Sequence, residues 1–539
     1  MGKARRALHT RAGALLLLLL LTGCGPAASR ANLVIINGPE PETLDPHLLT
    51  GQADGRIALG LFEGLTRYNP VDAQPEPGLA DGWTISPDAR SYTFHLRPGI
   101  RWSTGEPITA RDFVWSWQRV LDPGTASEYA GALFYLKNGE AFGTGRLKDF
   151  SQVGVHAVDD QTLQVELEAP TAFFLDLLCY TPYTVVPRQQ IEKYGDRWLL
   201  ARPFMASGAY VLDQWRIDDR VRLRRNPNYW DAANTRSDTI DLLSCVSATT
   251  ALNLFTRRAV DIVWDKELVS LDLLDLLRKR TDFHTFNTLS VYFYRCNVTR
   301  PPLNDPRVRQ ALALVIDKQR IVTRITRGGE TIAECLSPPE IANGTNRYER
   351  PGGLGYDPAR ARQLLAEAGY PGGAGMRPLQ YTYNTQENHR KIAVEMQEMW
   401  RRELGVQVEL RQVEWKSWLQ LQTALEYDLI RSSWVGDYND PNTFLDLFMS
   451  DNPNNRTGWK SAKYDEALRA ANAEADLARR QTLLARAETL IVKDEAAVTP
   501  LFYYVGMEFY DATNIQGLHS NLRSEHPLRA LYRVPEKSR

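Results

Sequence analysis

Between residues 306 and 433 helical and extended patterns alternate, and this alternation restricts the chain to one class of architecture. Asp305 before Pro306 is a helix N-cap followed by a first-turn proline. Val308, Ala311, Leu312, Val315 and Ile316 then recur at helical spacing. Asp357 and Pro358 open a second helix in the same way, and Gly369 is placed to stop it. The spacing predicts a third helix over about 389–404, ended by Gly405. Val406, Val408 and Leu410 alternate with Gln407, Glu409 and Arg411, which reads as a strand. Helix is expected again over 414–425 and strand over 427–431. Helices set between strands imply an α/β domain with a substantially parallel sheet. Ligands of such sheets gather beyond the carboxyl ends of the strands, which directs attention to residues 432–440.

The first half of the chain has shorter elements. Strands are expected at 33–36, 91–96 and 161–167, and a helix at 112–120 with Phe113, Trp117 and Val120 on one side. A change of character after Pro187 marks a boundary. Residues 208–215 and 220–225 look like paired strands, with a turn at 226–230. The 539 residues are too many for a single core, so two or three domains are expected.

Lys3, Arg5, Arg6 and Arg11 precede an unbroken run of leucine from Leu15 to Leu21. A basic segment, a short apolar run and small residues at a cleavage point make a secretory signal peptide. The run is shorter than the roughly 20 apolar residues that cross a bilayer. Cys24 follows Thr22 and Gly23 as in a bacterial lipobox. Residues 1–23 are therefore expected to be removed, with lipid on Cys24 and a tether over 24–31. The expected location is the periplasm or the outer cell surface, membrane-anchored. Gly25 rather than Asp follows the Cys, which leaves the choice of membrane open. Removing 1–23 leaves 60 basic and 65 acidic residues, a net charge of −5, and no reason to invoke nucleic acid.

Enzyme motifs are missing: there is no HExxH, GxSxG, P-loop or GxGxxG pattern. The His residues are scattered and none pair at metal-ligand spacing, so neither metal nor cofactor is expected. Asp437 and Asp440 could be read as a carboxylate pair for acid–base chemistry or calcium. Calcium needs six or more oxygens, and a turn with one ligand-facing acid is the simpler reading. Cys179, Cys245, Cys296 and Cys335 are widely spaced with no CxxC. Export would permit disulfides, and the sequence leaves their pairing open.

Several segments then become recognisable together. They are LDPH at 44–47, LFEGL at 61–65, YTFHLR at 92–97, WSTG at 102–105 and DFVWSWQR at 112–119. SGAY at 207–210, RNPNYW at 225–230, NDPRVR at 304–309, WVGDYN at 434–439 and PLFYYV at 500–505 follow in order. This series resembles the periplasmic oligopeptide-binding proteins of ABC importers, solute-binding family 5. The resemblance implies a two-lobed α/β clamshell with three domains, of the type II, cluster C kind. Domain I would be split over 32–62, 188–289 and 506–539, with domain II at 63–187 and domain III at 290–505. It also implies a non-enzymatic, monomeric receptor that binds short peptides and delivers them to an ABC permease. Same-fold alternatives are receptors for a dipeptide, a murein peptide, a metal chelate or an oligosaccharide.

The resemblance carries site residues with it. Asp437 matches the acid that pairs with the peptide ammonium through charge-assisted hydrogen bonds. Trp434, Val435 and Gly436 match the segment whose backbone pairs with the extended ligand, and Thr50, Gly51 and Gln52 match the facing segment. Tyr129 matches a cleft tyrosine. Arg431, His389 and Arg327 match three cationic positions for the peptide carboxylate at different depths, with His389 expected to be partly charged at neutral pH. Family members often join the positions of Val435 and Ser290 by a disulfide, and neither is Cys here, so packing must hold the loop around Asp437.

Overall fold

The computed structural model describes residues 30–343, 346–452, 454–474 and 476–534. The expected signal peptide, Cys24 and the tether as far as residue 29 lie outside the described residues. The chain opens with β1 (Leu33–Gly38) and α1 (Gln52–Leu61). A separate antiparallel sheet follows, built from β2 (Ala80–Ile85), β3 (Ser91–Leu96), β4 (Val155–Ala157) and β5 (Thr162–Glu166) in the order β2-β3-β5-β4. Helix α2 (Ala110–Leu121) packs on it and buries Phe113, Trp117 and Val120, the stripe its spacing predicts. Its first turn is fixed by Asp112, whose Oδ2 accepts the Thr109 N–H at 2.7 Å.

The large sheet takes in β6 (Tyr210–Arg216), β7 (Arg220–Arg225), β8 (Thr239–Ser244), β9 (Ile262–Val263) and β10 (Phe283–Cys296). After helices α3 (Pro306–Leu314) and α4 (Pro358–Glu367) come β11 (Leu379–Asn384), α5 (Glu387–Leu404), β12 (Val408–Val413), α6 (Trp415–Thr423) and β13 (Leu429–Val435). The last long strand is β14 (Val498–Tyr510). Strand order is β12-β11-β13-β10-β14-β9-β1-β8-β7-β6, with one short strand off this path. Asp305 and Asp357 accept N–H groups in the first turns of α3 and α4, and Gly405 ends α5 at φ 67°. At that φ a side chain would be strained, which explains the glycine.

Within 306–433 the expected parallel pairing is found, and antiparallel pairing begins where these strands meet the rest of the sheet. β12, β11 and β13 run parallel, as do β8, β1 and β9, while β13–β10 and β10–β14 are antiparallel, so the sheet as a whole is mixed. The reason is topological. The chain enters this half of the sheet along β10 and leaves along β14, so the two must run in opposite directions. The strand expected at 427–431 runs on to Val435, because β10 supplies a partner as far as Ser290.

β10 and β14 span both halves of the sheet, and their pairing changes between them. Asn287 faces Val505 and Val291 faces Tyr503, so Thr288, Leu289 and Ser290 oppose Tyr504 alone. The Leu289 carbonyl instead accepts the Gly436 N–H at 2.7 Å. Extra residues on one strand bend it and increase its twist at this crossing. Separate apolar cores lie on each side, one around Trp198 and Trp264 and another around Trp400, Tyr294 and Tyr381. Cys179, Cys245, Cys296 and Cys335 are all free thiols, and only Cys245 is not buried. Among the described residues no helix is long and apolar enough to cross a membrane.

Candidate functional site

The loop after β13 carries Asp437 into the space between the lobes. Its shape is set by its own polar groups. The Asp437 N–H donates to Thr443 Oγ1 at 3.0 Å, and Asp440 Oδ1 accepts the Asn442 N–H at 3.0 Å. Asp440 is also locked to Arg480 by two buried hydrogen bonds of 2.7 and 2.8 Å. This buried ion pair, together with the packing of Tyr438 on Phe173, holds the loop in the absence of a disulfide. It also removes Asp440 from any acid–base pair with Asp437.

Contacts across the cleft show the lobes closed. Asp176, from the body of the small sheet, accepts the Asn439 N–H at 2.6 Å and pairs with Arg523. Arg523 Nη2 also donates to the Asp437 carbonyl at 2.5 Å and to Tyr68 Oη at 2.8 Å. Tyr438 stacks on Phe173 with centroids 4.1 Å apart and inserts into the core beneath the small sheet. Tyr135 and Tyr438 hydroxyls lie 3.2 Å apart, and each reaches Asp446 at 3.3 Å.

The Asp437 carboxyl receives a hydrogen bond from Tyr180, which packs edge-on against Tyr129 at 5.2 Å. Among the described residues no cation pairs with it. Burial pushes its pKa up to about 7, with Asp446 adding to the rise and Arg523 and Tyr180 opposing it. An acid in this state is neutralised by a proton or by an ammonium brought from outside.

Thr50, Gly51 and Gln52 form the entry to α1, with Gly51 at the N-cap position. Gln52 and Val435 line one cavity, together with Lys266, Ser290 and Arg523. A second cavity of about 460 Å³, its mouth included, is lined by Lys266, Tyr292, Gln386, His389 and Tyr504. Lys266 and Met507 belong to both, so the two spaces adjoin. Trp434 is half-buried against the core formed with Val291 and Tyr503, and Gly436 lies between β13 and the Asp437 loop.

Arg431, in β13, donates to Tyr504 Oη at 2.9 Å and to Asn384 Oδ1 at 3.4 Å. Its guanidinium lies 5.0 Å from the Tyr292 ring, and its Nε has no partner among the described residues. His389 sits in the first turns of α5, buried, with Nδ1 unpartnered among the described residues. Burial, then repulsion from Arg431 and Lys266, drives its pKa well below the usual imidazole range. His389 is therefore neutral, not partly charged as the sequence suggests. Arg327 departs further. Its side chain pairs with Asp275, while its neighbours Thr326 and Glu330 line the cavity. The geometry thus joins Asp437 with Tyr129, and Arg431 with His389, but ties the Arg327 guanidinium to Asp275.

Sequence reading missed Tyr180, Lys266, Tyr504 and Arg523. Tyr504 lies within the PLFYYV segment and carried a signal. Lys266 and Arg523 belong to no pattern. Among the described residues no cluster of His, Cys, Asp and Glu could hold a metal ion.

Residues 74–456 match the model of the bacterial extracellular solute-binding proteins, family 5, middle region. The chain is 36% identical over 488 residues to the periplasmic oligopeptide-binding protein OppA of Salmonella typhimurium, covering 89% of this chain and 88% of that one. It is also 36% identical over 475 residues to the probable deoxycholate-binding periplasmic protein YgiS of Escherichia coli, covering 87% of each. Its fold superposes on the Escherichia coli murein tripeptide binding protein MppA with a TM-score of 0.83 at 30% identity, covering 94% and 99% of the two chains. Against the unliganded open form of MppA the TM-score is 0.73, again at 30% identity, covering 94% and 98%. The lower value is in keeping with the closed lobes described above.

Proposed function

This chain belongs to the bacterial extracellular solute-binding proteins of family 5, and we propose that it is a receptor which closes on short peptides with free termini. Lipid on Cys24 would tether it outside the cytoplasm, and an ABC permease would receive its cargo. The observation that carries the reading is Asp437, an enclosed acid with a tyrosine donor and no cation paired with it among the described residues. A peptide ammonium supplies the missing charge, and the backbone near Val435 and Gln52 supports an extended ligand between them. Arg431 offers an Nε unpartnered among the described residues for the peptide carboxylate, with His389 as a neutral hydrogen-bonding group beside it. The domain division given above is retained, with its hinge at the crossing of β10 and β14.

The relative named for deoxycholate makes a different cargo the second reading, since a bile acid has a carboxylate but no ammonium. Native mass spectrometry of the chain purified without denaturation separates the two. A ladder of masses fitting short peptides, lost in Asp437→Ala, supports the peptide receptor. A protein that stays empty with peptides and takes up a sterol carboxylate refutes it.

A further inference from the structure

Lys266 lies just after β9, at the start of a tight turn in which Asp265 accepts the Glu267 N–H at 2.9 Å. Its ammonium sits 3.6 Å from the centroid of the Tyr504 ring. No carboxylate forms an ion pair with it among the described residues. The acids nearby are engaged: Asp265 caps the turn, Glu267 accepts from Gln386 across the cleft, and Glu330 accepts from Thr326 at 2.9 Å. Tyr504 also holds the Arg431 guanidinium at its hydroxyl, so one tyrosine carries a cation on its face and another at its tip. Burial holds the Lys266 ammonium below its usual range and Arg431 adds to this, against the opposing pull of Glu267 and Asp265.

A peptide has one terminal carboxylate, yet two cations without ion-pair partners among the described residues face this space. Arg431 belongs to the deeper group with His389. Lys266 stands where the two cavities meet, beside the path of the last side chains rather than at its end. We infer that Lys266 contacts the ligand and selects peptides carrying a second carboxylate, an Asp or Glu side chain near their C-terminus. The inference rests on the peptide reading above. A carboxylate placed between the two cations forms charge-assisted hydrogen bonds and relieves their mutual repulsion, and an amide of the same shape does neither.

Calorimetry on the purified full chain tests this with Ala-Ala-Ala, Ala-Glu-Ala, Ala-Ala-Glu and the two Gln counterparts. At least one Glu peptide should bind about tenfold or more tightly than its Gln counterpart. The advantage should vanish in Lys266→Met and persist in Lys266→Arg. Equal affinity for Glu and Gln peptides in the wild-type protein overturns the inference, as does an advantage that survives Lys266→Met. If Ala-Ala-Ala binds without any preference for Glu, this inference alone has failed. If none of the peptides binds, the peptide reading has failed and this one with it.

Discussion

Replacing Asp437 by Asn keeps the shape of the side chain and removes its charge. In the closed protein the carboxyl takes one side-chain hydrogen bond, from Tyr180, and has no cation partner among the described residues. A peptide ammonium enclosed beside Tyr129 and Tyr180 would lose its counter-charge in the variant. Removing one partner of a buried pair costs about 3–5 kcal/mol. Asp437 is half-buried and Asn still offers a carbonyl acceptor, so the lower end applies. That corresponds to a loss of about 10²-fold in affinity. Calorimetry with Ala-Ala-Ala measures it directly, and N-acetyl-Ala-Ala-Ala removes the ammonium from the other side. In wild-type protein acetylation should cost about as much as the substitution. Because both changes break one interaction, their combined cost should fall well short of the sum. Affinity for Ala-Ala-Ala within threefold of wild type in Asp437→Asn would refute the reasoning. So would acetylated peptide binding wild type as well as the free amine.

Two further outcomes follow from the same geometry. Burial in the closed cleft raises Asp437 and Asp446 to about 7, whereas opening returns them toward the ordinary carboxylate range near 4. The closed form therefore binds protons more tightly. This contribution to closure is complete below about pH 4 and is lost as pH rises through about 7. Small-angle scattering of ligand-free protein should give a smaller radius of gyration at low pH, and the change should disappear in Asp437→Asn/Asp446→Asn; a pH-independent wild-type radius contradicts it. Ser290 and Val435 face each other across β10 and β13, and the Gly436 N–H bond to Leu289 makes theirs a non-hydrogen-bonded pair. Such pairs have Cα atoms about 4.5 Å apart, within reach of a disulfide. Ser290→Cys/Val435→Cys exported to an oxidising compartment should lose both added thiols on titration and melt at a higher temperature, and persistent free thiols would show that the register is wrong.

Local signals survived folding well. The N-caps Asp305 and Asp357, the stop at Gly405 and the buried stripe of α2 lie where the sequence put them, since each depends on neighbours within a turn. The mixed character of the whole sheet was not legible, because the antiparallel pairing of β13 with β10 and of β10 with β14 joins strands distant in sequence. The charge of His389 was misread for a related reason. Its ionisation depends on burial and on Arg431 and Lys266, none of which is adjacent to it in the chain. Arg327 fits a motif position, yet Asp275 from the facing lobe draws its side chain away.

The sequence by itself determined the α/β class, the family and the segments from which the cleft is made. These follow from periodicity, capping residues and an ordered set of short motifs, all readable along one dimension. Only the tertiary structure decided which charges are already satisfied. Asp440 is consumed by Arg480 and Arg327 by Asp275, while Asp437 and Lys266 face the cleft without an ion-pair partner among the described residues. Ion pairing and desolvation act through space over a few ångströms, and the residues they join here come from segments tens to hundreds of positions apart.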